Sequence, residues 1–154
     1  MKKTYITKNF RETQTLGEIL AKELQGGEII ALSGELGGGK TTFAQGVLKG
    51  LKTKGPYTSP TFLVMKHYKK EIPNPKSKIQ NIYHIDCYRI GAKDILDLGW
   101  EEIIASKKNV AIVEWAERIK RIVPSRAVWV RFKHKGKSER EINIKSQCQN
   151  PNDK

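Results

Sequence analysis

The stretch Glu28-Ile29-Ile30-Ala31-Leu32-Ser33-Gly34-Glu35-Leu36-Gly37-Gly38-Gly39-Lys40-Thr41-Thr42-Phe43 decides how the rest of the chain is read. Its opening residues form a short, nearly continuous apolar run, the pattern of a strand covered on both faces of a sheet. The glycines between 34 and 39 end that run. From Lys40 the period changes: Phe43, Val47 and Leu51 recur at helical spacing with Ala44 and Leu48 beside them, which predicts a helix. Between strand and helix, Gly34 to Thr41 fits G-x-x-x-x-G-K-[ST]. A loop of this kind turns its amide N–H groups inward around an anion. Side chains obstruct such a turn, so glycine is required, and the helix N-terminus adds its partial positive charge. Lys40 is then expected to bind the β- and γ-phosphates of a nucleotide, and the Thr41 hydroxyl a Mg²⁺ ion.

Outward from this segment, Leu16, Ile19, Leu20 and Leu24 recur at helical spacing, Thr15 and Glu18 suggest a capping box, and Gly26-Gly27 stops the run. Thr61 to Tyr68 and Ile79 to Ile85 predict two strands in an antiparallel hairpin around the Pro-containing loop at 73–78. Val110-Ala111-Ile112-Val113 is a further buried strand, preceded by a short helical stretch from Trp100 to Ala105. Val128, Val130 and Phe132 alternate with Trp129 and Arg131, turn at Gly136, and resume with Ile142 and Ile144 as a closing hairpin. Strands alternating with helices early and hairpins later predict an α/β P-loop NTPase fold, with a mixed parallel and antiparallel sheet and flanking helices.

The chain has 154 residues, which suits a single domain over 1–146 followed by a polar C-terminal tail at 147–154. A hydrophobic fraction of 38% is enough for a core, so the formal net charge of +13 does not imply disorder. No run of apolar residues is long enough to span a membrane, and the basic start is followed by polar residues rather than a leader-like stretch. A soluble cytoplasmic protein without membrane contact is expected. Cys87 and Cys148 have neither Cys-x-x-Cys nor His ligand spacing, so free thiols are expected.

A P-loop needs a carboxylate at the end of a neighbouring strand to hold magnesium, usually through water. Two places compete: Val110-Ala111-Ile112-Val113-Glu114, and the less apolar Ile82-Tyr83-His84-Ile85-Asp86. On strand quality Glu114 is preferred for the metal, which leaves Asp86 for the attacking water or the γ-phosphate side.

The P-loop followed by Ser59-Pro60-Thr61-Phe62, then His84-Ile85-Asp86-Cys87-Tyr88-Arg89, then Leu98-Gly99 and Glu114-Trp115, resembles the TsaE (YjeE) family. The resemblance runs from about Thr13 to Trp115 and lies in the order and spacing of these motifs. It implies a small Mg²⁺-dependent ATPase that works with TsaB and TsaD, and with tRNA through that complex, to sustain N6-threonylcarbamoyl modification of tRNA adenosine. It also implies that Thr41 and Glu114 hold Mg²⁺, in agreement with strand quality. By the same resemblance the nucleotide lies against Glu35, Leu36, Gly37, Gly38, Gly39, Lys40, Thr41 and Thr42. Thr61 belongs to a segment able to sense the γ-phosphate or metal, Asp86 and Arg89 match the acid-aromatic-Arg segment, Trp115 neighbours the metal acid, and Thr13 lies near the base. Lys40, Asp86 and Glu114 are the expected catalytic residues. One departure is Gly38, where alanine or serine is usual.

Residues 115–145 hold ten Lys/Arg against Glu117, Glu139 and Glu141. Such a face invites a tRNA contact or an acidic partner, centred on Arg131, Lys133, Lys135 and Lys137, which lie far from the P-loop in sequence. A small-molecule kinase is the principal alternative function, although no compact lid insertion is evident. A GTPase is disfavoured, because neither [NT]-K-x-D nor a following D-x-x-G is present. A nucleotide-gated RNA-binding module with negligible turnover is a further alternative.

Overall fold

The computed structural model describes residues 2–58, 60, 63–71 and 76–146. In chain order its elements are β1 (Lys2–Thr7), α1 (Phe10–Ala21), β2 (Ile29–Gly34), α2 (Lys40–Gly50), β3 (Met65–Lys69), β4 (Asn81–Asp86), α3 (Ala92–Asp97), α4 (Trp100–Ala105), β5 (Asn109–Glu114), a 3₁₀ helix (Ala116–Ile122), β6 (Val128–His134) and β7 (Arg140–Lys145). The strands form one seven-stranded sheet in the order β1-β7-β6-β2-β5-β4-β3. β2 runs parallel to both β5 and β6, and β4 runs parallel to β5. The β1–β7, β6–β7 and β3–β4 pairs are antiparallel.

β2 is apolar along its length because helices cover both of its faces. Ile30 and Leu32 point to one core with Phe43, Val47 and Leu48 of α2, and Ile29 and Ala31 point to a second core with Ile95, Trp100 and Ile119. Phe43 meets Phe132 of β6 edge to face, with ring centroids 5.5 Å apart, the arrangement that ring quadrupoles favour. α1 and α2 cross closely through glycines. A Cβ on Gly46 would lie 2.0 Å from the Gln14 carbonyl oxygen, and one on Gly17 would lie 2.3 Å from that of Phe43. Any larger residue at either position separates the helix that carries Thr13 from the one that carries Thr41 and Thr42.

The strand, loop and helix around the glycine run fall where the sequence predicts them, as do α4, β5 and the closing hairpin. α1 begins earlier than expected. Its cap is Asn9, whose side chain accepts from the Glu12 N–H at 2.9 Å, while Glu12 Oε2 accepts from the Lys8 N–H at 2.9 Å. Thr15 and Glu18 therefore lie inside the helix. β1, α3 and the 3₁₀ helix carried no clear periodicity in the sequence. β1 is a strand because β7 offers it an edge, with Thr7 opposite Arg140. Cys87 is a buried free thiol, whereas Cys148 and the tail at 147–154 lie outside the described residues.

Candidate nucleotide-binding site

The register aligns the C-terminal ends of three parallel strands. Glu114 sits opposite Leu32 of β2 on one side and Asp86 of β4 on the other. Here the strands end and the glycine loop departs, the usual place for a ligand crevice in an α/β sheet. A cleft of about 660 Å³ opens there, lined by the P-loop, the two strand-end acids, the start of α1 and the tip of the β6–β7 hairpin.

The loop is built from backbone that only glycine adopts readily. Gly34, Gly37 and Gly39 have φ of 127°, 73° and 102°, and a Cβ on Gly34 would stand 2.2 Å from the Phe132 carbonyl oxygen. Gly39 caps α2 without any side-chain bond, which leaves the first amides of the helix directed at the cleft. A Cβ on Gly38 would come within 2.9 Å of the Glu35 carbonyl oxygen and 3.2 Å of Phe132 Cβ, so the expected alanine or serine would press on the loop.

Two side chains from the ends of β6 and β7 brace the loop. His134 Nε2 donates to the Leu36 carbonyl at 3.0 Å, and Arg140 Nη2 donates to that of Gly37 at 3.2 Å. Glu117 of the 3₁₀ helix accepts from the Gly34 N–H at 3.0 Å.

Inside the cleft, Lys40 Nζ donates to the carbonyls of Gly34 at 2.8 Å and Glu35 at 2.7 Å. It also stands 4.1 Å from the centre of the Trp115 ring. Burial lowers the Lys40 pKa from its ordinary value, against the opposing pull of Glu117, Glu114, Asp86 and Glu35. Trp115 holds its position through a left-handed backbone, φ 57°, that turns the chain sharply at the end of β5. Tyr88 packs against it with centroids 5.0 Å apart, and the Arg118 guanidinium lies 5.9 Å from the Trp115 ring centre.

The two expected metal ligands meet. Thr41 Oγ1 donates to Glu114 Oε1 at 2.6 Å, and the other carboxylate oxygen, Oε2, lies 2.6 Å from His84 Nε2. Glu114, His84 and Asp86 are all buried. Hydroxyl and carboxylate oxygens are the donors that Mg²⁺ takes, and the ion needs only one or two from protein because phosphates and waters supply the rest. Among the described residues no cluster of three or more His, Cys, Asp or Glu is arranged to hold a metal ion.

Of the residues expected from sequence, Thr13, Leu36 to Thr42, Asp86, Glu114 and Trp115 line the cleft together. Glu35 contributes its carbonyl to Lys40. Thr13 is held by its hydroxyl, 2.7 Å from that of Thr7. Arg89 is exposed on the loop after β4 and is not among the lining residues, and Thr61 lies outside the described residues. Asn9, Phe10, Tyr88, Lys137, Ser138 and Arg140 complete the lining without having been anticipated, and His84 supports it from below. The basic hairpin is therefore not remote from the P-loop: Lys137 opens onto the same cleft.

A glycine loop on a central parallel strand, with a lysine, a threonine and a facing strand-end carboxylate, defines a P-loop protein of α/β fold. The model of the family described as "Threonylcarbamoyl adenosine biosynthesis protein TsaE" matches residues 7–142, and the chain belongs to that family. It is 34% identical over 138 residues to the tRNA threonylcarbamoyladenosine biosynthesis protein TsaE of Bacillus subtilis, covering 90% of this chain and 82% of that protein. It is 34% identical over 139 residues to the TsaE of Rickettsia typhi, covering 89% of this chain and 90% of that one. The crystal structure of Bacillus subtilis YdiB superposes with a TM-score of 0.73 at 29% identity, over 95% of this chain and 86% of that one.

Proposed function

We propose that this chain binds Mg²⁺·ATP in the P-loop cleft and hydrolyses it to ADP and phosphate, as the ATPase of tRNA threonylcarbamoyladenosine biosynthesis. It acts with TsaB and TsaD, meets tRNA within that complex, and works in the cytoplasm as one domain over 1–146. The observation that carries the reading is the 2.6 Å contact between Thr41 Oγ1 and Glu114 Oε1 at the mouth of the loop.

The bound Mg²⁺ ion would be held by Thr41 and Glu114 and would withdraw charge from the phosphate oxygens. The loop amides and the start of α2 bind the phosphate chain, and Lys40 exchanges its two carbonyl acceptors for phosphate oxygens. That exchange replaces neutral acceptors with charged ones, which favours the occupied state. Asp86, at the end of β4 beside Glu114, orients the attacking water and takes up its proton. Trp115 shields the Lys40 side from solvent, and Thr13 borders the end of the cleft that receives the base.

Two measurements test this. Lys40→Ala should abolish measurable ATP binding in isothermal titration, whereas undiminished affinity would remove the P-loop from the mechanism. Phosphate release should appear in water when the protein is combined with TsaB, TsaD and tRNA. Phosphate transferred instead to an added metabolite would point to a kinase.

A further inference from the structure

A second cleft, of about 550 Å³, opens on the face of the sheet opposite α1 and α2, behind the P-loop. The register of three strands builds its floor. Ser33 of β2 lies opposite Arg131 of β6, and Trp129 of β6 lies opposite Lys145 of β7, so the four side chains share one face. The 3₁₀ helix and the turn that follows supply the wall, with Lys120 and Pro124.

Three cations from three elements thus converge on one opening. Among the described residues Lys120, Arg131 and Lys145 have no carboxylate within ion-pair distance, unlike Lys135, which faces Glu141 at 4.0 Å. The lining carboxylate, Glu117, accepts from the Gly34 N–H and offsets one of the three cations, which leaves the lining net positive. Arg131 and Lys145 are exposed and stand on the same face of paired strands, so an anion that bridges them lowers the repulsion between like charges. Beside them Trp129 is only partly covered by the second core, and its indole forms the apolar side of the opening.

A run of carboxylates by itself would use the cations and leave the indole idle. An RNA strand with one base turned out uses both, because every base has a face to stack and every nucleotide brings a phosphate. We infer that this cleft holds a single unstacked nucleotide of an RNA loop, its base against Trp129 and its flanking phosphates on Lys120, Arg131 and Lys145. The site is separate from the ATP cleft and does not depend on hydrolysis there.

The test uses the full-length protein and an unmodified tRNA transcript, titrated between about 50 and about 200 mM salt, where phosphate contacts show as a log–log slope. Wild type should bind with a clear slope. Arg131→Gln combined with Lys145→Gln should weaken binding at least tenfold at low salt and reduce the slope by about 1.4, about 0.7 for each lost contact with a single strand. Trp129→Ala should weaken binding by about fivefold or more with the slope unchanged, and Trp129→Phe should restore it, since either ring stacks. Melting temperature and Mg²⁺·ADP affinity should stay at wild-type values in the charge variants. No saturable tRNA binding at low salt, or charge variants that bind like wild type, would overturn the proposal. So would a Trp129→Ala variant with full affinity, or polyglutamate competing as well as RNA, which would mark an acidic protein as the occupant.

Discussion

His84 Nε2 lies 2.6 Å from Glu114 Oε2, a wholly buried imidazole against an almost wholly buried carboxylate. An ionised carboxylate only accepts, so Nε2 carries the proton and donates, and Nδ1 has no hydrogen-bond partner. Because Thr41 takes the other oxygen, His84 decides which way the carboxylate faces. Partners of this kind, placed behind a metal ligand, typically change metal affinity or activity by about 10- to 100-fold. His84→Ala should therefore raise the Mg²⁺ concentration needed for half-maximal nucleotide binding by at least about tenfold. His84→Gln, which keeps a donor in reach, should recover most of it. Calorimetric titration of nucleotide at a series of Mg²⁺ concentrations reads the effect, and an unchanged Mg²⁺ requirement in the alanine variant would remove His84 from the site.

The paired ends of β4 and β5 give the two acids different partners. Glu114 touches Thr41, whereas Asp86 Oδ1 accepts from the Tyr88 N–H at 2.9 Å and so shapes the loop after β4. Glu114→Gln should raise the Mg²⁺ requirement and cut turnover by about 100-fold or more while nucleotide affinity at saturating Mg²⁺ changes by less than about tenfold. Asp86→Asn should cut turnover without altering the Mg²⁺ requirement. If the Mg²⁺ effect appeared in Asp86→Asn alone, the two roles would be exchanged.

Cys87 follows Asp86 into the core, and burial, reinforced by the charges of Asp86 and Glu117, pushes its thiol up from 9.0 to about 12. The folded protein keeps this proton where the unfolded chain has released it. The resulting stability is complete below about pH 9 and is lost as pH rises from about 9 towards 12, by about 1.4 kcal/mol per pH unit. Denaturant unfolding at about pH 8 and about pH 10.5 should show that loss in wild type and a smaller one in Cys87→Ala. Equal alkaline losses in the two proteins would mean that the thiol is not protected. The same burial predicts that Cys87 resists alkylation in the native state.

The features legible in the sequence are those written in local patterns. The apolar run of β2, the glycine spacing and the period of α2 are contiguous, and each constrains backbone directly, so strand, loop and helix fall in place. Glu114 could be preferred over Asp86 because a strand covered on both faces is continuously apolar, and β5 lies inside the sheet next to β2. The remaining parts of the site depend on distant pairings. Phe10 lines the cleft because β1 is carried to the sheet edge by β7, and nothing in Lys2–Thr7 announces that edge. His84 reads as one residue of a strand, and its role exists only because β4 sits beside β5. Asn9 outcompetes Thr15 as the helix cap because the chain emerging from β1 presents its extended backbone one turn and a half earlier than the apolar stripe suggests.

The β6–β7 hairpin shows the same limit and carries the last prediction. In sequence Arg131, Lys133, Lys135 and Lys137 form one alternating basic run, and a shared role away from the P-loop is the natural expectation. In the structure they divide. Arg131 faces the second cleft, Lys135 lies 4.0 Å from Glu141, and Lys137 lines the nucleotide cleft beside Arg140. Arg140 ties this tip together, donating through Nη1 to the Glu139 carbonyl at 2.9 Å and through Nη2 to that of Gly37 at 3.2 Å. Lys137→Gln should weaken ADP and ATP binding by about threefold to tenfold, the effect of removing one partly solvated cation from a phosphate chain, equivalent to about 0.7 to 1.4 kcal/mol. Lys133→Gln, the same charge change outside the cleft, should leave nucleotide affinity within about twofold. Arg140→Gln should weaken binding more than Lys137→Gln, because it removes a cation and also releases the loop carbonyl that holds Gly37 in its left-handed turn. Calorimetry on the three variants at one salt concentration decides the matter: equal affinities for the Lys133 and Lys137 variants would return the whole hairpin to the role its sequence suggests.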